Sequence, residues 1–178
     1  DLVRYNVKVT KLLLQFFCNQ IAGKDVTGLR FNSFVGNVLT ISYPHPFDLI
    51  ATNPPFHRKQ NNCGKKGGGD SLWPYFVKIS IDLLKSNGYL VFVHPAAWRK
   101  PESEKSKTKG LFKLMTHENS LLYLEIHDTS DGLKVFNAGT RYDWYVLQKK
   151  PNRSDTLILD QMGKTYKVNL NDLEFLPN

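Results

Sequence analysis

Four consecutive residues, Asn53-Pro54-Pro55-Phe56, combine groups that suit the handling of an amine. Proline has no backbone N–H and holds the residue before it in extended geometry, so the stretch is stiff and its carbonyl oxygens are free to accept hydrogen bonds. The side-chain oxygen of Asn53 and the carbonyl oxygen of Pro54 would form two fixed acceptors for the two hydrogens of one amine. If the amine belongs to a nucleobase, Phe56 would lie against the face of that nucleobase. Such a contact contributes about 1–3 kcal/mol in nucleic-acid sites.

These acceptors suggest a specific chemistry. The amino nitrogen of a nucleobase is a poor nucleophile because its lone pair is conjugated with the ring. Acceptors that hold its hydrogens restore the lone pair and stabilise the positive charge that develops during attack. An electrophile as activated as a methyl sulfonium then needs no strong base, and positioning supplies the rest. The tetrad Asn53–Phe56 therefore predicts methyl transfer to an exocyclic amine, and a proline-rich turn after a buried strand is the structural alternative.

The elements around the tetrad would place it at a ligand crevice. Alternating patterns predict an α/β fold with a mostly parallel sheet, helices on both faces and an antiparallel strand near the carboxyl end. In such sheets ligands bind beyond the carboxyl ends of the strands. Helices are predicted over 6–20 and 71–85, the second closed by Ser86-Asn87-Gly88. Strands are predicted within 29–38 and over 48–52, 89–93, 121–127, 141–149 (half-exposed edge or antiparallel), 156–159 and 165–168.

The tetrad resembles the fourth motif, Asp/Asn/Ser-Pro-Pro-aromatic, of the amino-methyltransferases that use S-adenosyl-L-methionine. Residues 71–98, SLWPYFVKISIDLLKSNGYLVFVHPAAW, look like the helix, Lys-x-x-Gly turn and strand that follow it in adenine-specific DNA methyltransferases of restriction-modification systems. The resemblance implies a Rossmann-like class I methyltransferase fold, methyl transfer to adenine of double-stranded DNA after base flipping, and Asn53, Pro54, Pro55 and Phe56 as the catalytic residues. It is strongest for the type that can join endonuclease and methyltransferase in one polypeptide, so a restriction endonuclease domain or subunit is an expected partner.

Three further residues take expected roles from this resemblance. Residues 1–7, DLVRYNV, resemble the second motif, in which Asp1 would bind the cofactor ribose, although the usual Asp-Pro is absent; a frayed terminus is the alternative. Asn37 falls where the third motif carries an Asp that contacts the cofactor adenine, or it caps a turn. Phe136 resembles the eighth-motif Phe and would stack on the target base opposite Phe56, or it belongs to the core.

A glycine-rich basic segment follows the tetrad directly. Its sequence over 58–70, RKQNNCGKKGGGD, has the composition of a solvated loop. Its position favours a second interpretation, in which the glycines let the loop close over an extruded base and the basic side chains contact DNA phosphates. Those side chains are Arg58, Lys59, Lys65 and Lys66. The Gly-Lys letters do not make a P-loop, because the spacing is wrong and no Ser or Thr follows the lysines. Trp98 would rim the same pocket or anchor a loop.

Composition limits the function classes. A chain of 178 residues with 41% hydrophobic content makes one domain or part of one. The net charge of +8 suits a polyanionic partner, with solubility as the alternative. Cys18 and Cys63 are too few for a zinc site or a disulfide framework, which predicts a reducing compartment, the cytoplasm. No metal is expected, and no apolar stretch of transmembrane length suggests a membrane partner.

The cofactor motifs are incomplete. The chain contains no glycine-rich turn of the kind that binds the cofactor after the first strand, and it does not begin with Met, so an upstream segment with both features is expected. We expect the isolated chain to bind S-adenosyl-L-methionine weakly or not at all. Residues 1–150 are predicted to form the methyltransferase catalytic domain, incomplete at its amino end, and residues 151–178 to begin a downstream region for target recognition.

Other functions stay open. Asn-Pro-Pro-Phe-His also resembles the tetrad of ribosomal-RNA guanine methyltransferases, although the Phe136 segment argues against an RNA guanine amine as target. Cytosine amino methylation is less favoured, since those enzymes more often carry Ser-Pro-Pro. A non-catalytic nucleic-acid-binding remnant would explain the missing glycine turn.

Overall fold

The computed structural model describes residues 36–38, 40–57 and 70–176. The chain divides into two compact units, residues 1–42 and 43–178. All strands and helices of the described residues lie in the second unit. The strands are β1 (Phe47–Thr52), β2 (Leu84–Pro95), β3 (Ser120–His127), β4 (Tyr142–Gln148), β5 (Thr156–Leu159) and β6 (Thr165–Val168). The helices are α1 (Trp73–Leu83), α2 (Leu111–Thr116) and α3 (Thr129–Phe136), with 3-10 helices at Ala96–Arg99 and Leu170–Asp172.

Six strands form one mixed sheet in the order β1-β2-β4-β3-β5-β6. β1 runs parallel to β2 and β3 runs parallel to β5, whereas β4 is antiparallel to both β2 and β3, and β6 is antiparallel to β5. Four strands therefore run in one direction, and their carboxyl ends meet at one edge of the sheet, here called the carboxyl edge. The predicted α/β fold with an antiparallel strand near the carboxyl end is confirmed.

One face of the sheet carries the core. Alternate residues of the neighbouring strands β2 and β4 are almost fully buried on this face: Leu90, Phe92, Tyr145 and Leu147. Trp73 at the start of α1 stacks on a histidine of β2 on the same face. Since a strand presents successive side chains to opposite faces, the residues between them face the other side and are mostly half-buried. No helix in the described part of the chain is long and apolar enough to cross a membrane.

The end of α1 differs from the prediction. The helix stops at Leu83, and Leu84 already pairs with Phe47 of β1, so β2 begins five residues before the predicted strand. Asn87-Gly88 is therefore an irregularity within β2 and not a helix stop. Asn87 adopts a left-handed backbone with φ 63°. A Cβ on Gly88 would lie 3.0 Å from the carbonyl oxygen of Phe47, so strand pairing at this point leaves room only for glycine.

The position of β4 excludes one of the two interpretations of residues 141–149, a half-exposed edge strand or an antiparallel strand. The antiparallel direction is confirmed, but a half-exposed edge is wrong, since β4 lies between β2 and β3 and Tyr145 and Leu147 are fully buried. Strands β5 and β6 have the predicted bounds. The Thr156 hydroxyl donates to the Leu121 carbonyl oxygen at 2.6 Å, so the sheet continues through Pro151 without a break. The role of residues 151–178 in target recognition stays a prediction, and the predicted helix 6–20 lies outside the described residues, as does most of the predicted strand 29–38.

Candidate functional site

The tetrad lies at the carboxyl edge, directly after β1. Thr52, the last residue of that strand, is in register with Phe92 of β2, so Asn53 leaves the sheet beside the end of the neighbouring strand. The Asn53 side chain is exposed and makes no hydrogen bond to any described residue, whereas Pro54 is buried. The Asn53 carboxamide is thus exposed to solvent, and the buried Pro54 holds the backbone beside it in place. The proposed pair of acceptors requires such a stiff backbone.

The far end of the tetrad is tied to the start of α1. The Leu72 backbone N–H donates to the Phe56 carbonyl oxygen at 2.9 Å, and His57 and Ser71 form an isolated antiparallel bridge. The segment after the tetrad therefore begins and ends at two residues that pair with each other, His57 and Ser71. The predicted phosphate ligands Arg58, Lys59, Lys65 and Lys66 fall between them, outside the described residues, and their role stays a prediction.

Phe56 and Phe136 meet at the carboxyl edge. Their ring centroids are 5.7 Å apart with an interplanar angle of 67°, an edge-to-face pair. Both residues are half-buried. A base between them would need both rings to face it, and one ring would have to turn. The stacking roles of the two residues stay predictions, and the structure places the two rings in direct contact with each other.

The α3 helix carries Phe136 to this place. Asp128 caps the first turn by accepting from the backbone N–H groups of Ser130 and Asp131, and these bonds lower the pKa of its carboxyl. Asn137 ends the helix in a left-handed conformation with φ 52°. The caps fix where the helix begins and ends, and Phe136 is its last residue.

Two further rings continue from Phe136 along the edge. Tyr142 contacts Phe136 edge to face at 4.9 Å and stacks on His127 at 4.4 Å with nearly parallel planes. The His127 Nδ1 is 2.9 Å from a carboxylate oxygen of Asp131, and its Nε2 is 3.1 Å from one of Glu125. Burial raises the pKa of the Tyr142 phenol, with smaller contributions from the two carboxylates. We call Phe56, Phe136, Tyr142 and His127 the aromatic row.

Tyr142 and His127 were not predicted from the sequence. Each has the pattern of an ordinary strand residue at the end of a predicted strand. Only the order of the strands in the sheet would have identified them. Tyr142 of β4 is in register with Pro95 of β2 and with His127 of β3. Only the insertion of β4 between those strands brings the three residues to the same edge.

A buried polar cluster lies behind the edge. Asp143 is fully buried and accepts hydrogen bonds from Trp98 Nε1 and Arg99 Nε, both at 2.8 Å. Burial raises the pKa of its carboxyl, and the Arg99 charge opposes that rise. Trp98 is also buried, and it stacks on Phe112 of α2. Trp98 therefore anchors the 3-10 helix and does not rim the predicted pocket.

The predicted cofactor ligands lie elsewhere. Asn37 is exposed in the first unit, where its carbonyl oxygen accepts from the backbone N–H groups of Thr40 and Ile41, both at 2.9 Å. It thus begins a turn, and its contact with the cofactor stays a prediction. Asp1 lies outside the described residues. The groups described at the carboxyl edge fit the amine side of the reaction, since the exposed Asn53 carboxamide offers an acceptor three residues before the Phe56 ring.

Comparison with protein families gives one match. The model of the Eco57I restriction-modification methylases matches residues 15–136, more than half of the chain. The matched range contains the tetrad and ends at Phe136. Curated protein sequences show no significant match.

Solved structures with a similar fold come from type I restriction-modification systems. One, from a study of complex assembly and conformational transition of such a system, has a TM-score of 0.51 at 12% identity and covers 70% of this chain and 25% of its own. Another is a modification subunit assigned to a type I restriction enzyme from Vibrio vulnificus YJ016, with a TM-score of 0.50 at 12% identity over 69% of this chain and 27% of its own. At this identity the similarity shows the fold alone. The chain spans about a quarter of the length of these structures.

Proposed function

The chain belongs to the Eco57I restriction-modification methylase family, and from this premise we propose that it carries the catalytic tetrad of a DNA methyltransferase that methylates the amino group of adenine. The observation that carries this proposal is the contact of Phe136 with Phe56, the last residue of the tetrad that begins at the exposed Asn53. A proline-rich turn alone would not explain why a second aromatic ring, Phe136 at the end of α3, contacts Phe56.

The proposed chemistry follows from the acceptors. The Asn53 side-chain oxygen and the Pro54 carbonyl oxygen accept the two amino hydrogens and so draw the nitrogen lone pair out of conjugation. Bound S-adenosyl-L-methionine would supply the methyl group as an activated sulfonium, and its sulfur would keep the electron pair of the broken S–CH3 bond and leave as a neutral thioether. The same two oxygens stabilise the positive charge that develops on nitrogen, and one amino proton then leaves to water. No described carboxylate or histidine is needed as a general base.

Base flipping brings the adenine to these acceptors. An amine inside a duplex cannot reach Asn53, so the target base must leave the stack, at a cost of a few kcal/mol. Stacking on Phe56 and Phe136 would return about 1–3 kcal/mol per aromatic contact. Double-stranded DNA is therefore the proposed substrate. A restriction endonuclease, as a domain or a subunit, is the proposed partner because the family joins modification to restriction.

Replacement of Asn53 tests the tetrad. We expect Asn53→Ala in the full-length protein to lower the rate of methyl transfer by about 10²–10³-fold, the effect of losing one preorganised polar partner of a developing charge. Asn53→Asp keeps an acceptor and should retain much more activity, as the family motif with Asp implies. Because Asn53 is exposed and unbonded among the described residues, thermal unfolding should not change. Turnover of the alanine variant within a few-fold of the parent would refute this role.

A further inference from the structure

Two adjoining cavities form a groove along the carboxyl edge. One, of about 410 Å³, lies between the start of α1 and residues 100–108, and the other, of about 380 Å³, lies between the 3-10 helix Ala96–Arg99 and residues 139–141. Ala97 and Lys100 line both cavities, so the two are neighbours. We call this feature the edge groove.

The edge groove passes the proposed target-base site. One wall contains Ser71, which is bridged to His57 directly after Phe56. The second cavity is lined by Gly139, three residues after Phe136. A nucleotide whose base lies against the two phenylalanines would therefore have the groove alongside its sugar and phosphates.

The described charged residues that line the groove are all positive. Its described lining residues include Lys100, Lys107 and Arg141 but no Asp or Glu. Lys107 forms an ion pair with Asp70, whereas no ion pair within the described part of the chain involves Lys100 or Arg141. Both of these side chains are exposed. Two cations that form no ion pair with a described residue thus line the groove, which suits an anionic occupant.

The floor that carries these cations is rigid. Lys100 directly follows Trp98 and Arg99, which are both buried and both donate to the Asp143 carboxylate. The Ala96 backbone N–H donates to the Arg141 carbonyl oxygen at 3.2 Å and so links the two walls. A fixed backbone lowers the entropic cost of placing two long side chains on one ligand.

We propose that the edge groove binds the sugar-phosphate backbone of the DNA strand that contributes the target base, with Lys100 and Arg141 contacting phosphates that flank that nucleotide. The proposal rests on the proposed function for its choice of ligand. Phosphate contacts set the register of a protein on DNA and carry no sequence information. Lys100 and Arg141 thus position the strand for the tetrad, and base recognition lies elsewhere.

The test measures DNA affinity against salt for the full-length protein. Lys100→Gln, Arg141→Gln and the double variant are titrated with a short fluorescent duplex at several salt concentrations. We expect weaker binding to every duplex sequence and a slope of log affinity on log salt that is shallower by about 0.9 for each cation removed from a phosphate. The matched control is Lys78→Gln with Lys113→Gln, two exposed lysines on α1 and α2 outside the groove. This control should keep the parental slope.

Each outcome bears on the groove. A parental slope in the folded double variant would overturn the proposal, and so would equal competition by polyglutamate, which would indicate an acidic peptide as the occupant. Asn53→Ala separates the two claims, since it should lose methyl transfer and keep the parental DNA slope. If the parent transfers no methyl group but the groove variants still lower the slope, the proposed function fails and the groove stands. If methyl transfer is intact and the slope does not change, only the groove fails.

Discussion

Phe56 and Phe136 are held in contact by a weak interaction. An edge-to-face pair contributes about 0.5–1.5 kcal/mol beyond the area it buries, whereas each aromatic ring that stacks on a base contributes about 1–3 kcal/mol. Two contacts with a base therefore exceed the directional term lost between the rings and offset part of the cost of flipping the base. Tyr142, stacked on His127, also contacts the Phe136 ring. The pair can open toward a ligand while this contact remains in place.

His94 makes stability depend on pH. It is fully buried, stacks on Trp73 at 4.3 Å and donates through Nδ1 to the Pro95 carbonyl oxygen, with no partner for Nε2 among the described residues. Burial lowers its pKa to about 3. The folded state keeps this imidazole neutral, whereas the unfolded chain binds a proton below pH 6.5. The stability that comes from neutral His94 is therefore complete above pH 6.5 and is lost as the pH falls toward 3.

Urea unfolding at several pH values tests this. We expect the free energy of unfolding of the parent to fall between about pH 6.5 and 4 more steeply than that of His94→Phe, by up to about 1.4 kcal/mol per pH unit. Phenylalanine keeps an aromatic ring against Trp73 and cannot titrate. Parallel pH profiles for the two proteins would show that His94 is not the responsible group.

At the scale of elements, the position of α3 depends on one close backbone approach. A Cβ on Gly132 would overlap the Thr140 carbonyl oxygen, so the helix packs directly on the segment that enters β4. Gly132 is the buried residue of this helix, and Leu133 and Val135 are more than half exposed. The helix is thus held by its backbone at this point more than by an apolar side-chain face.

Gly132→Ala should displace α3. Because the added methyl group meets backbone that cannot rotate away, we expect a decrease of about 1–3 kcal/mol in the free energy of unfolding. A lower methylation rate should follow, as Phe136 moves away from Phe56. Gly139→Ala is the matched control, since its Cβ would meet no atom within 4 Å and its unfolding free energy should not change. Equal stability of the two variants would mean that α3 adjusts without cost.

The elements that local patterns specify were predictable, and those that depend on pairing were not. The apolar run before Asn53 and the short strand-like runs at residues 156–159 and 165–168 each marked a strand correctly. The helix end at Leu83 was missed because Leu84 pairs with Phe47, a contact between distant parts of the chain. The same cause hid the central position of β4. The proximity of Phe136 to Phe56 was anticipated only through the family resemblance.

At the scale of the whole molecule, a single sheet edge gathers the tetrad, the edge groove and the aromatic row. The tetrad follows β1, the edge groove follows β2, His127 ends β3 and Tyr142 begins β4. The range matched by the family ends at Phe136, yet β4, which follows it, is the shared partner of β2 and β3. The matched part thus needs the residues after it to form a continuous sheet. The net charge of +8 agrees with a polyanion at this edge.

The identity of the methylated nucleoside decides whether the chain is an adenine methyltransferase of DNA. The full-length protein would be incubated with S-adenosyl-L-methionine carrying a deuterated methyl group and with genomic DNA from a host that lacks adenine methylation. The DNA would then be digested and analysed by mass spectrometry, with Asn53→Ala as the negative control. We predict labelled N6-methyldeoxyadenosine with the parent and none above background with the variant. Label in methylated cytosine or guanine, label appearing only when RNA replaces DNA, or no labelled nucleoside from either would contradict the proposed function.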